Sequence, residues 1–241
     1  MYGPIKPIYL FADSQLLFWK NDGRLFIESV KSHIEPENVK AAYIGASNDD
    51  TPEYYSIFEA AMNGIGISDC RMIQSKFSPV DNLFLKDADL ILLAGGDVKK
   101  GWDTFVKSGM KDLIIKKYYS GAVLIGLSAG AVQLCLGGWS NDEIYVDNII
   151  YTFKLGPFLL GVHEEKEDWS RLKRSVRVIG NSMKGIGISS GGGLIYHPDH
   201  SLEAIRFPVH EFSIKNKKFV YCLLYPPSEK EKECVEEPIQ L

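Results

Sequence analysis

Gly126-Leu127-Ser128-Ala129-Gly130 is the stretch of this chain best suited to covalent chemistry. A short apolar run, Ala122 to Ile125, precedes it, and an apolar helical pattern follows from about Ala129. The pentapeptide therefore reads as G-x-S-x-G at a strand-to-helix turn, where small residues two before and two after the Ser let strand and helix approach and hold the Ser strained and exposed. Backbone N–H groups and the dipole at the helix start favour a developing oxyanion. The chemistry implied is acyl transfer through Ser128; the competing role for such a Ser is that of a helix N-cap.

A Ser hydroxyl is a poor nucleophile until a base takes its proton, so histidine is the next residue to find. The chain has five. His33 falls on the polar face of a predicted helix, His197 and His200 flank the Pro198-Asp199 turn, and His210 precedes a late strand. His163 stands where the apolar segment Gly156 to Val162 gives way to a charged helix predicted from about Glu164 to Val176, the kind of strand end that lines a cleft. Glu164, Glu165, Glu167 and Asp168 follow it and read mainly as a solvated helix face, although any of them is a carboxylate within reach of a site.

These residues need a scaffold, and the chain supplies a βα rhythm. Apolar runs at Ile8 to Ala12, Val39 to Ala46, Cys70 to Ile73, Asp89 to Ala94 and Ala122 to Ile125 alternate with helical spacings: Phe26, Val30 and Ile34; Tyr54, Phe58, Ala61 and Met62; and roughly Trp102 to Tyr119. Strands separated by helices predict a single three-layer α/β domain, a mostly parallel sheet with helices on both faces. Lys184 to Ser189 predicts another strand, and Leu194 to Tyr196, Leu202 to Phe207 and Lys218 to Tyr221 predict an antiparallel finish near the C-terminus. Ligands collect at the carboxyl ends of such strands. Three segments fall there: Ala12-Asp13-Ser14, Gly95-Gly96-Asp97 and Ser128. Residues 1–225 are expected to form the domain, and residues 226–241 a polar, frayed tail.

At 241 residues and 45% hydrophobic, the chain is long and apolar enough for a sizeable core. A net charge of −4 with mixed signs excludes a nucleic-acid or membrane-surface partner as the reading of its composition. Cys70, Cys135, Cys222 and Cys234 are widely spaced with no C-x-x-C pair, so reduced thiols are expected and no metal site or cofactor is implied. The N-terminus lacks a signal-peptide pattern, no apolar run reaches the ~18 residues of a membrane span, and a cytoplasmic protein is expected.

Leu93-Ala94-Gly95-Gly96-Asp97, Gly126-Leu127-Ser128-Ala129-Gly130-Ala131, Asn141-Asp142 and the His163 to Leu172 segment resemble, in order and spacing, the dipeptidase E and cyanophycinase family of serine peptidases. That family looks like class I glutamine amidotransferase domains with Ser in place of Cys. The resemblance, over about Ile8 to Phe207, implies Ser128 as nucleophile, His163 as base and the N–H groups of Gly96 and Ala129 as oxyanion hole. It implies Asp142 as an acid near the site that meets a substrate amino group. Two positions depart from the pattern. Asp97 stands where the family usually has Asn, adding a carboxylate on the substrate-binding side. Ser190, in Gly187-Ile188-Ser189-Ser190-Gly191, stands where the resemblance puts the acidic third member.

The leading expectation is thus a serine-type hydrolase of short peptides or related amides, with a homodimer allowed. The main alternative is a silent or slowed relative that binds a small ligand in the same cleft. A weaker alternative is an α/β-hydrolase esterase using Asp168 and His210.

Overall fold

The structure, a computed structural model, describes residues 3–35, 37–139, 149–180, 183–227 and 233–238. Two sheets organise it. The first is built on four runs that are buried along almost their whole length: β1 (Ile8–Phe11), β4 (Lys40–Ile44), β6 (Leu90–Leu93) and β7 (Val123–Leu127), with β2 (Lys20–Asn21) and β3 (Arg24–Leu25) forming a separate small ribbon and β5 (Asp69–Ile73) the far edge. Apolar residues without alternation are what a parallel sheet covered on both faces requires. Strands β1, β7, β6, β4 and β5 run parallel in that order.

Successive side chains point to opposite faces, so each strand feeds two cores. Leu10, Ile44, Leu93 and Leu124 pack with Leu85, Phe105, Met110 and Ile114 from α2 (Pro79–Asp87), α3 (Val98–Ser108) and α4 (Met110–Tyr119). Tyr9, Tyr43, Leu92 and Ile125 pack on the other face with Phe58, Ala61 and Met62 of α1 (Pro52–Gly64) and with Ile27 and Val30 of a 3-10 helix, Phe26–His33. Three layers result, as expected. Pro52 opens α1 at the N1 position, where a missing N–H costs nothing.

Some elements differ from the sequence reading. The helix expected over Trp102 to Tyr119 is two, divided at Gly109, whose φ of 81° lies in the left-handed region that favours glycine. Tyr54 is 52% exposed rather than on the inner face of α1. The antiparallel finish is shared between sheets. After α5 (Ala129–Leu134) and the ribbon of β8 (Gly137–Trp139) and β9 (Ile149–Tyr151), β10 (Leu159–Val162) and β11 (Lys184–Ile188) pair parallel and begin a second sheet. β12 (Gly193–Tyr196) and β13 (Leu202–Ile205) return to the first sheet beside β1, whereas β14 (Val209–Lys215), β15 (Lys218–Leu224) and β16 (Glu233–Pro238) complete the second. One face of the second sheet packs Leu160, Ile186, Ile188 and Val209 against α5; the other packs Leu159, Phe212 and Ile214 under α6 (Ser170–Ile179).

The segment expected as a frayed tail contains a paired strand, β16, in register with β15. Cys222 and Cys234 sit directly opposite each other in that register and form a disulfide, which corrects the expectation of four reduced thiols. Cys70 and Cys135 are free, and Cys135 is buried in the core behind α5. Among the described residues, no helix is long and apolar enough to cross a membrane.

Candidate functional site

The parallel register brings four strand ends to one edge. Phe11 lies beside Leu127, Leu93 beside Gly126, and Ile44 beside Leu93. Beyond these pairs the chain turns sharply. Gly126 can take no side chain because a Cβ there would come within 2.5 Å of the backbone of Ala131, and one at Gly130 would run into the carbonyl of Leu93. Strand and helix are therefore in backbone contact on both sides of Ser128. The turn leaves Ser128 at φ 48°, ψ −111°, a conformation that non-glycine residues avoid. Its hydroxyl makes no capping bond to α5, so the N-cap role is not the one it plays.

Several N–H groups near this hydroxyl are already engaged. Ser128 N–H donates to Phe11 O (2.9 Å), Ala94 N–H to Ile44 O (3.1 Å) and Asp97 N–H to Ser47 O (2.9 Å). Gly96 N–H has no acceptor among the described residues, and Ala129 N–H opens a helix, where the first donors have no intrahelical partner. Gly96 adopts φ 134° against the Ser47 carbonyl, with no room for a side chain. The carboxylate of Asp97 is turned to its own helix, where it caps α3 by accepting from Lys100 N–H at 2.7 Å. It lines neither cavity at Ser128, so the structure does not bring it to the substrate side as the sequence suggested. Asp142 lies outside the described residues.

His163 directly follows β10 of the second sheet and faces the same space. Its backbone is also left-handed, φ 63°, and its N–H is held by Ile188 O at 3.3 Å. Ser128, His163 and Gly96 all line two cavities that meet at the serine, of about 260 and 250 Å3. The first is bounded by Trp139, Glu164 and Arg171, the second by Asp13, Tyr43, Tyr54 and Phe58. Ser128 and His163 are not hydrogen-bonded to each other among the described contacts.

The imidazole has one clear partner. Its Nδ1 lies 2.9 Å from Ser190 Oγ, so the residue at the expected acid position does reach the ring. Ser190 is itself held by Glu165, whose Oε1 lies 2.7 Å from the hydroxyl and 3.3 Å from the Ser190 N–H. Burial works to raise the Glu165 carboxyl, but the Ser190 hydroxyl, backbone N–H groups and the nearby His163 charge outweigh it and hold the group below the ordinary carboxylate range. Asp13 ties the two sheets together here, accepting from Gly191 N–H at 2.7 Å.

Of the carboxylates that follow His163, Glu165 is the one the structure brings to Ser190. The helix expected from Glu164 begins at Ser170; residues Glu165–Glu167 form one 3-10 turn, and Asp168 and Trp169 are left-handed. Its neighbours are occupied differently. Burial raises the Glu164 carboxyl, which accepts from Leu172 N–H, and Asp168 pairs with Lys173 at 2.8 Å. His210 is half-buried against Trp169 and bonded to Tyr221 at 3.0 Å. Neither Asp168 nor His210 lines a cavity at Ser128, and the esterase arrangement finds no support in these positions. No group of three or more His, Cys, Asp or Glu side chains that could hold a metal occurs among the described residues.

With this geometry in place, the chain can be set beside known proteins. The profile of peptidase family S51 matches residues 19–199, a span that takes in Gly96, Ser128, His163 and Ser190. No curated protein sequence matches the chain. Among solved structures, a peptidase from an acI-B1 Actinobacterium is similar with a TM-score of 0.67 and 15% identity, covering 96% of this chain and 97% of that one. A putative peptidase E protein from Listeria monocytogenes EGD-e is similar with a TM-score of 0.59 and 15% identity, covering 84% of this chain and 99% of that one. At these identities the two structures speak for the α/β fold. The profile covers most of the sequence, and it supports the conclusion that the chain belongs to peptidase family S51, the dipeptidase E family.

Proposed function

We propose that the protein is a serine-type hydrolase of short peptides or related amides, working through an acyl-enzyme on Ser128. The observation that carries this reading is the strained Ser128, φ 48°, placed where two cavities meet and faced by His163. In the first step Ser128 Oγ attacks the substrate carbonyl carbon as its proton passes to His163 Nε2, the ring nitrogen not engaged by Ser190. The carbonyl oxygen takes the negative charge, and the N–H groups of Gly96 and Ala129, which have no acceptor among the described residues, are assigned to it. The C–N bond then breaks, and the imidazolium gives its proton to the leaving amine. Water, deprotonated by the same imidazole, attacks the ester, and the acid product leaves with Ser128 restored.

The two cavities suit residues on either side of the scissile bond, and their sizes suit short substrates. A cytoplasmic setting, alone or as a homodimer, belongs to the same proposal. The test is exposure of the purified protein to a fluorophosphonate followed by mass spectrometry. A stoichiometric adduct on Ser128 supports the hydrolase. The absence of a hydrogen bond between Ser128 and His163 favours a second reading, a slowed relative that binds a ligand in this cleft; failure to label Ser128 would transfer the proposal to it.

A further inference from the structure

We propose that Glu165 is the anion of this site and acts on His163 through the Ser190 hydroxyl, as a positioning residue for the serine-type reaction on which this inference rests. Two residues apart on a helix, His163 and Glu165 would point in different directions. Here the left-handed His163 and the 3-10 turn at Glu165–Glu167 fold the chain back, so that both side chains reach Ser190. Trp169 secures the turn. Its ring lies against Gly187, where a Cβ would approach within 2.6 Å, and against His210, with ring centroids 4.8 Å apart.

The protons then follow by elimination. An ionised carboxylate only accepts hydrogen bonds, and a serine hydroxyl has one proton to give. The Ser190 proton goes to Glu165 Oε1 at 2.7 Å, leaving an oxygen lone pair toward His163 Nδ1 at 2.9 Å. Nδ1 must therefore carry the ring proton, and Nε2 is left as the base. Glu165 keeps its charge because the Ser190 hydroxyl at 2.7 Å, backbone N–H groups and the nearby His163 outweigh the cost of its burial, although its Oε2 is buried without a partner. When His163 becomes imidazolium, the charge is balanced across one intervening hydroxyl rather than by direct contact. A carboxylate missing from its expected strand is thus replaced by one from the turn after the histidine.

The experiment combines two readouts on wild type, Glu165→Gln, Ser190→Ala and the double variant, each checked for folding by thermal melt. Nitrogen-15 NMR of the histidine rings reports which nitrogen of neutral His163 carries the proton. The wild type is expected to show Nδ1–H, and both single variants a shift toward Nε2–H, since the Gln amide can donate to Ser190 and turn its hydroxyl proton toward the ring. Fluorophosphonate labelling of Ser128 is expected to slow in Glu165→Gln by about one to three orders of magnitude, less than the ~10⁴ lost when a directly bonded triad Asp becomes Asn. The double variant should be no slower than the slower single one, because the two residues act in series. Wild-type labelling and an unchanged tautomer in a folded Glu165→Gln would overturn the proposal. If wild-type Ser128 takes no label at all, the hydrolase reading fails, while the tautomer shift still decides the role of Glu165.

Discussion

A serine whose hydroxyl caps nothing, held at positive φ beside a cavity, is maintained at a cost of about 1–3 kcal/mol in backbone strain. Ser128→Ala keeps the backbone but removes the attacking oxygen. Peptidase turnover and fluorophosphonate labelling should both fall by roughly three or more orders of magnitude with an unchanged circular dichroism spectrum. Turnover retained in this variant would exclude the acyl-enzyme. Ser190 carries the second prediction at this scale. Ser190→Glu restores the residue type that the family resemblance expects, but Glu165 Oε1 already lies 2.7 Å from the position of the hydroxyl. Two carboxylates in contact repel, and one of them takes a proton or moves away. Labelling by Ser190→Glu should therefore stay level or fall, and a clear rise would show that Glu165 does not hold the ring. The sharp turn at Ser128 and the strand end at His163 could be read from local sequence pattern, whereas the roles expected of Gly96 and Ala129 rested on the family resemblance. Glu165 was not legible, because its reach depends on a left-handed histidine and an irregular turn that a charged, helix-like stretch conceals.

At the scale of elements, the turn between β7 and α5 depends on two glycines that serve close packing. The Cβ of Gly126→Ala would meet Ala131 backbone at 2.5 Å, and that of Gly130→Ala the Leu93 carbonyl; neither obstacle is a flexible side-chain end. Each substitution should destabilise the protein by about 1–3 kcal/mol, read as a lower denaturant midpoint. Labelling should slow even where the fold survives, because the strand and helix that aim Ser128 are pushed apart. Midpoints within error of wild type would mean that the turn is looser than described. The parallel strands were legible for a plain reason: Ile91, Leu92 and Leu93 are buried on both faces, and continuous apolar runs signal that environment. The break between α3 and α4 was not, since a lone Gly109 within a helical pattern can be tolerated inside a helix as well as end one. The exposure of Tyr54 follows from its place at the mouth of a cavity, a tertiary fact absent from helical spacing.

For the molecule as a whole, the second sheet was the least legible part. Its strands are brought together from segments on both sides of β12 and β13, and short apolar runs do not say which sheet they join. The Cys222–Cys234 bridge fastens the last of them, β16, across 12 residues of sequence. Closing a loop of that size contributes on the order of 3 kcal/mol in the chain-entropy account. Reduction, or a Cys222→Ser and Cys234→Ser double variant, should lower stability by up to about that amount. It should leave Ser128 labelling unchanged, because β14 and β15 stand between β16 and β11. Labelling that tracked the redox state would tie this edge to the site after all. A reducing compartment would keep the bridge open, so its state in cells also bears on the cytoplasmic setting proposed above.

Ser128 rides on one sheet, whereas His163, Glu165 and Ser190 ride together on the other. His163 and the two side chains that hold it form a single cassette, joined by the contacts of Ser190 with His163 and Glu165. The separation between that cassette and Ser128 is set by the seam where Leu160, Ile186, Ile188 and Val209 pack in one cluster with Ala131 and Val132. In the mechanism proposed above, aliphatic groups with no acid–base chemistry of their own thereby act as spacers for a proton transfer, and the specification of such a site extends to side chains that carry no polar atom.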